Sequence, residues 1–300
     1  MKQSDRLKFL KCLLALLFAV IYLPAYAENS KVRVFTSILP QKYFVEKIAG
    51  DLVEVEVLVG SGMSPHTFEP LPQQMSRLSR AAVFFMIGVP FEHALVQRLA
   101  AVCPDLKFVD TGKNVARRSM NEQESDHQHS EDCVHEAGAP DPHIWLAPLL
   151  IKIQAATITG ALCARDPANA GAYRNNLQAF QSELDMLDAE IREKVRPFAG
   201  REIFVFHPAF GYYTDAYGLR QIAIETEGKE PGSRSLAAVV DRAKNRRVKA
   251  VFAERQFSPK TATAVARQIG AEVITLDPLE RDCFQNLRFM TDRIIYALSK

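Results

Sequence analysis

Several features that mark common functions are scarce or missing in this chain. Lysine and arginine number 37 against 35 aspartate and glutamate, so no excess positive charge is available to hold nucleic acid or acidic lipid. No nucleic-acid partner is therefore expected. No Cys-x-x-Cys pair occurs, which removes a zinc ribbon and a thioredoxin-like redox centre. No His-Glu-x-x-His occurs either, which removes a common metalloprotease signature. Tryptophan is present once, as Trp145.

What remains is an ordinary globular composition, 48% hydrophobic and 24% charged. A length of 300 residues suits about two domains. Residues 1–27 read as a signal peptide. Lys2, Arg6, Lys8 and Lys11 form a basic start, 12–23 an apolar segment, and Ala25-Tyr26-Ala27 a small-x-small cleavage site. The apolar segment is shorter than the roughly 18–20 residues of a membrane span. The mature chain is expected to begin at Glu28 in the periplasm, without a lipidated cysteine. Its four cysteines, Cys103, Cys133, Cys163 and Cys283, permit three pairings, and the spacing selects none. Burial as free apolar residues is an equal expectation.

Short apolar runs then alternate with helical patterns. Strands are expected over 31–38, 54–59, 81–88 and 107–110, and again over 201–207, 219–225, 249–254 and 272–277, with helices over 235–246 and 261–269. Alternation of this kind predicts an α/β fold of two lobes, each a mostly parallel sheet flanked by helices. The lobes are expected at 28–165 and 198–300, joined by one long rigid helix over 166–197. Within that joint Tyr173, Leu177, Phe180, Leu184, Leu187, Ile191 and Val195 keep an unbroken helical stripe. Asp166 is placed to cap it and Pro167 to open it. About 29 residues at 1.5 Å each span roughly 43 Å, enough to lie along both lobes. Its charges are irregular for a coiled-coil dimer, so a monomer with an internal strut is expected.

Residues 121–140 differ from the rest. Acidic residues crowd around His127, His129 and His135 with almost nothing to form a core, so a mobile loop is expected. Histidines at i and i+2 among carboxylates make it a weak metal-collecting surface.

Three other histidines stand far apart, each at a turn or after an apolar run. His66 lies in Pro65-His66-Thr-Phe-Glu69-Pro70, His143 in Asp141-Pro-His143-Ile-Trp145-Leu, and His207 in Phe206-His207-Pro-Ala-Phe-Gly-Tyr212. Asp277 ends a further run before Pro278. Three imidazoles and a carboxylate suit a tetrahedral divalent-metal site, and ligands of open α/β sheets gather beyond the carboxyl ends of strands. Glu69, three residues after His66, is placed to accept its second ring proton. Glu254 also ends a strand and is the alternative to Asp277, either as fourth ligand or as a supporting acceptor. His93, on an expected helix, is read as structural. Since imidazole binds metal only when neutral, affinity is expected to fall below about pH 6.5.

Together these three motifs, in this order, resemble the zinc and manganese substrate-binding proteins of ABC transporters, the zinc-specific ZnuA type above all. The resemblance covers essentially the whole mature chain. It implies a cluster A-I receptor with metal in the cleft between two lobes, held by His66, His143 and His207 with Asp277 or water. It implies Zn2+ as the transported ligand, with a membrane permease and its ATPase as partners. Where manganese-type relatives often carry a carboxylate, His207 stands here, and nitrogen-rich sites suit zinc. Ser64 and Ala147 depart from the acidic residues that relatives commonly carry there. A manganese receptor of the same family is the alternative. A secreted zinc-dependent hydrolase is a more distant one, with Glu254 as its only obvious base.

Overall fold

The computed structural model describes residues 31–120, 139–225, 233–257 and 259–300. The expected signal peptide and the segment holding His127, His129, Cys133 and His135 lie outside these residues. Val32–Lys300 forms one compact unit, built on two four-stranded parallel sheets. The first contains β1 (Val32–Ile38), β2 (Val53–Val59), β3 (Val83–Met86) and β4 (Lys107–Asp110), in the order β2-β1-β3-β4. The second contains β5 (Glu202–Val205), β6 (Arg220–Ala223), β7 (Ala250–Glu254) and β8 (Glu272–Leu276), in the order β6-β5-β7-β8. Each expected strand is present; β2 begins one residue earlier than expected, the strand at 107–110 keeps its bounds, and the others are trimmed where flanking residues leave the ladder.

Both sheets are wound alike. The first strand lies second from the edge, so the connection out of it runs one way and the connection into the third strand runs the other. Val34 pairs with Val55 on one side and Val83 on the other. Phe204 likewise pairs with Ile222 and Val251. Central strands of parallel sheets are covered on both faces and read as continuous apolar runs. The helices that supply this cover are α1 (Leu39–Ala49), α2 (Pro72–Leu78) and α3 (Phe91–Leu99), then α4 (Pro148–Arg165) and α5 (Ala170–Val195). After β5 come α6 (Gly211–Tyr217), α7 (Ser233–Asn245), α8 (Pro259–Ile269) and α9 (Cys283–Leu298).

Helix α5 is the long joint. Tyr173, Phe180, Leu184, Leu187, Ile191 and Val195 are buried, as the stripe requires, and Leu177 is half-buried. Its start differs from the expectation. A 3-10 turn, Pro167–Asn169, precedes it, and Asp166 makes no side-chain cap. The Asp166 carboxylate instead accepts bonds from Asn169 Nδ2 and Tyr173 Oη, both 2.7 Å away. The 26 α-helical residues extend about 39 Å. The Phe180 ring packs 6.1 Å from Phe44 of α1 and 5.8 Å from Phe284 of α9, touching helices of both sheets. Burying such a ring contributes about 1.5–3 kcal/mol. Ion pairs flank this contact on each side, Lys47–Glu183 at 2.5 Å and Arg288–Glu190 at 2.7 Å. One continuous apolar core therefore passes from the first sheet, under α5, into the second. A smaller cluster around Val240, Val251 and Val265 sits where α7 and α8 meet the second sheet.

Cys103, Cys163 and Cys283 are free thiols, so no pairing forms among those three. Among the described residues no helix is long and apolar enough to cross a membrane.

Candidate metal centre

Each candidate histidine reaches the centre by a different local device. His66 lies in the turn-rich connection between β2 and α2. There the His66 backbone N–H donates to Ser64 Oγ at 3.3 Å. Buried Phe68, 4.9 Å from the Phe91 ring, anchors the same turn to the first sheet's core.

His143 precedes a one-turn 3-10 helix, Ile144–Leu146, that is wholly buried. Asp141 folds back on it. Its Oδ1 accepts from the His143 backbone N–H at 2.9 Å and from ring Nδ1 at 2.7 Å. Asp141 is itself held, because Tyr212 Oη donates to its carbonyl at 3.0 Å and accepts from Arg118 N at 3.1 Å. At Gly211, next to Tyr212, the Arg118 guanidinium occupies the space a Cβ would take, so a larger residue there would have to displace it. Trp145 donates from Nε1 to the Pro278 carbonyl at 2.8 Å, pinning this segment to the turn after β8.

His207 lies two residues beyond β5, at the point where the strand order of the second sheet reverses. Three adjacent strands converge there. Glu225, just past β6, accepts from His207 Nδ1 at 2.5 Å. Glu254, the last residue of β7, accepts from the His207 backbone N–H at 3.2 Å. Phe257 stacks on the ring at 4.8 Å.

These devices bring the three rings together. Ring centroids are 4.7 Å apart for His66–His207, 5.1 Å for His143–His207 and 5.7 Å for His66–His143. One ring nitrogen from each lies within 4.8 Å of the others, and the Nε2 atoms of His143 and His207 are 3.3 Å apart. Two nitrogens bound at about 2.05 Å in a tetrahedron sit about 3.3 Å apart, so this pair already has the spacing of a zinc edge. With Nδ1 of His143 and of His207 each donating to a carboxylate, their Nε2 atoms are left with lone pairs toward the shared space, the usual arrangement of metal-binding histidine. The cavity between them measures about 10 Å3, the room of one water or ion.

Electrostatics agree with the geometry. Burial, then the charges of His207 and His143, pushes His66 down to about 3. His207 is lowered as well, chiefly by burial, against the opposing pull of Glu225. Protonation of the His66 ring therefore sets in well below the expected pH 6.5. Burial raises Glu254 to about 8, and its Oε1 has no hydrogen-bond partner.

Asp277 and Glu69 fall differently from the expectation, whereas Glu254 stands beside His207 as an acceptor, within the alternatives expected for it. Asp277 is not drawn into the cluster. Its Oδ1 is committed to Gln256 Nε2 at 2.6 Å and Leu279 N at 3.0 Å, and it lies outside the group of atoms within 4.8 Å. Glu69 is exposed and makes no bond to His66, whose Nε2 is buried without a partner; the turn carries Phe68 inward and so turns Glu69 outward. Glu254 lines the cavity. His93 is exposed on α3, within 3.5 Å of Gln97. The acceptors Asp141 and Glu225 were missed as such. Asp141 was visible in its motif, two residues from His143, whereas Glu225 meets His207 only because β6 pairs with β5.

Known proteins agree on the kind of molecule this is. The family model for the zinc-uptake complex component A, periplasmic (ZnuA), matches residues 34–295. The high-affinity zinc uptake system protein ZnuA of Bacillus subtilis (strain 168) is 31% identical over 264 residues, covering 85% of this chain and 81% of its own length. The manganese ABC transporter substrate-binding lipoprotein PsaA of Streptococcus anginosus is 27% identical over 321 residues, covering 98% of this chain and all of its own. Among solved structures, a ZnuA deletion mutant with zinc bound superposes with a TM-score of 0.82 at 40% identity, covering 90% of this chain and 99% of that one.

Proposed function

Because the chain belongs to the ZnuA family of periplasmic zinc-uptake components, we propose that it is a receptor that captures Zn2+ in the periplasm. It would hand the ion to an ABC-type importer formed by a membrane permease and its ATPase. The ion is cargo here, held by Nε2 of His143 and His207 and by the His66 ring. The observation that carries this reading is the convergence of three imidazoles on a cavity of about 10 Å3. That space admits an ion and no organic substrate, which favours a receptor over a zinc hydrolase. A nitrogen-only set of three donors favours zinc over manganese, which prefers oxygen. For a fourth position the geometry offers Glu254 Oε1, which faces no other partner, or water; Asp277 is already engaged.

Release has to come from small movements. Helix α5 packs on α1 and α9 at once through Phe180, so wide hinge opening would break the shared core. Slight tilting of one sheet, with rearrangement of the His66 turn, separates the rings at far lower cost.

The test is calorimetric titration of the metal-free protein with Zn2+ and with Mn2+, beside His66→Ala and His207→Ala. Supporting the ring of a metal-bound histidine contributes about 10–100-fold in affinity, so removing the ring itself should weaken Zn2+ binding by more than about 100-fold. Unchanged affinity in both variants overturns the site. Preference for Mn2+ over Zn2+ in the unaltered protein overturns the cargo and leaves the site standing.

A further inference from the structure

A wide cavity bordering the second sheet lies at the other end of its strands from the histidines, and nothing in a metal-receptor role accounts for it. It measures about 650 Å3, within the usual range for a small-molecule site. Arg201, Arg220, Arg246, Arg247, Lys249 and Lys300 line it, with Glu202 as the one acidic residue. The chain as a whole carries 37 basic against 35 acidic side chains, so an excess of this size in one cleft is local, not a sample of a basic surface. Glu202 is mostly buried and is already taken up by Arg242 at 2.7 Å and Arg246 at 3.7 Å, while Lys300 pairs with Glu272. Arg201, Arg247 and Lys249 are exposed, and their side chains make no hydrogen bond or ion pair among the described residues.

Backbone geometry adds an independent sign. Arg247 is the only non-glycine residue with positive φ among those described, at 53°. It follows α7 in a turn closed by Val248 N to Ala243 O at 3.0 Å and Arg247 N to Lys244 O at 3.0 Å. Glycine is the favoured residue in such a helix-ending turn. An arginine held there in a left-handed conformation places its guanidinium at the cleft at a conformational cost.

We propose that this cleft is an anion site for a small linear polyanion of the oligophosphate class. The strand order supplies the reason for a linear ligand. Arg220, Arg201 and Lys249 stand at or just before the starts of β6, β5 and β7, three neighbouring strands spaced by about 4.8 Å each. Their charges are thus strung along roughly 10 Å, farther than one phosphate reaches. Four of the six cations are arginines, whose planar forks match phosphate oxygens. From Glu202 to His207 the strand advances about 16 Å, so the cleft and the metal centre are separate, and the inference does not depend on the proposed cargo.

Tripolyphosphate, orthophosphate and citrate are titrated by calorimetry into the full chain stripped of metal, at low and at physiological salt. Tripolyphosphate should bind with an affinity that falls as salt rises, at least tenfold more tightly than orthophosphate or citrate. An Arg201→Ala/Arg247→Gly/Lys249→Ala variant should lose at least tenfold of that affinity. Its zinc affinity, measured separately without phosphate, should be unchanged. Arg247→Gly alone should raise Tm while weakening tripolyphosphate, which separates a charge effect from loss of folding. No binding of tripolyphosphate at low salt, equal binding by the triple variant, or orthophosphate or citrate matching tripolyphosphate each overturns the proposal.

Discussion

The two sheets share one strand order yet finish their reversal points in opposite ways. In the first, the ends of β1 and β3 close on Glu92. Its carboxylate accepts from Ser37 Oγ, from Ile87 N at 2.9 Å and from Gly88 N at 2.7 Å. Gln41 and Thr111 complete the knot, with Gln41 Nε2 donating to Thr111 Oγ1 at 3.1 Å. In the second, the ends of β5, β6 and β7 hold His207 between Glu225 and Glu254, and one oxygen of Glu254 is left without a partner. A buried polar group without a partner is costly, and such costs persist where function uses them. The first sheet's knot is saturated and supports structure; the second's is incomplete and turned toward the shared cavity.

That contrast is best tested by treating both carboxylates alike. Glu225→Gln should lower zinc affinity by about 10–100-fold, since the His207 ring loses its charged acceptor, with little change in thermal stability. Equal affinity in calorimetry would mean that the ring is held by packing on Phe257 alone. Glu92→Gln should do the reverse. At pH 5 the protonated carboxyl can direct its O–H to Ser37 Oγ and still accept both backbone N–H groups. An amide sets its own N–H against one of them, which should cost about 1–3 kcal/mol in denaturant unfolding at that pH and leave zinc affinity as it was.

Glu92 also makes the first sheet responsive to pH. Burial pushes its carboxyl from the ordinary 4.5 up to about 7. Between those values the folded chain keeps a proton that the unfolded chain has released. Its contribution is therefore complete below about 4.5, declines as pH rises, and is gone above about 7. Stability measured across this window should fall with pH in the unaltered protein and fall less steeply in Glu92→Gln. Matching slopes would remove Glu92 as the source.

The smallest effect concerns how α5 is fastened to each side. Glu183 and Glu190 pair with α1 and α9 at its surface, and exposed pairs contribute about 0–1 kcal/mol. Glu183→Gln and Glu190→Gln should each cost less than about 1 kcal/mol by the same unfolding measurement. A larger loss in either would place the attachment in charge and not in the Phe180 contact.

Strands and the joint were legible because their burial leaves a local pattern. Val34, Phe35, Phe204 and Val251 sit in continuous apolar runs, and α5 has one wet face and one dry face. Helix α4 left no such trace. Its apolar residues are spread around much of its surface, with Leu149 exposed and Ile151, Ala155 and Ile158 buried. The histidines were recognisable by the turns that carry them. Their acceptors were not uniformly so: Asp141 is local, but Glu225 is 18 residues from His207 and becomes its partner through strand pairing. Glu69 failed for the complementary reason. Nearness in sequence suggested a bond that the turn, by burying Phe68, directs away.

The lone tryptophan has a practical consequence. Its indole lies 5.1 Å from the His143 ring and is fixed by the Pro278 carbonyl, so its emission reports on this corner of the molecule with no background from another indole. Arrival or departure of an ion at the neighbouring imidazole should register as a change in intrinsic fluorescence, giving a label-free optical gauge of loading.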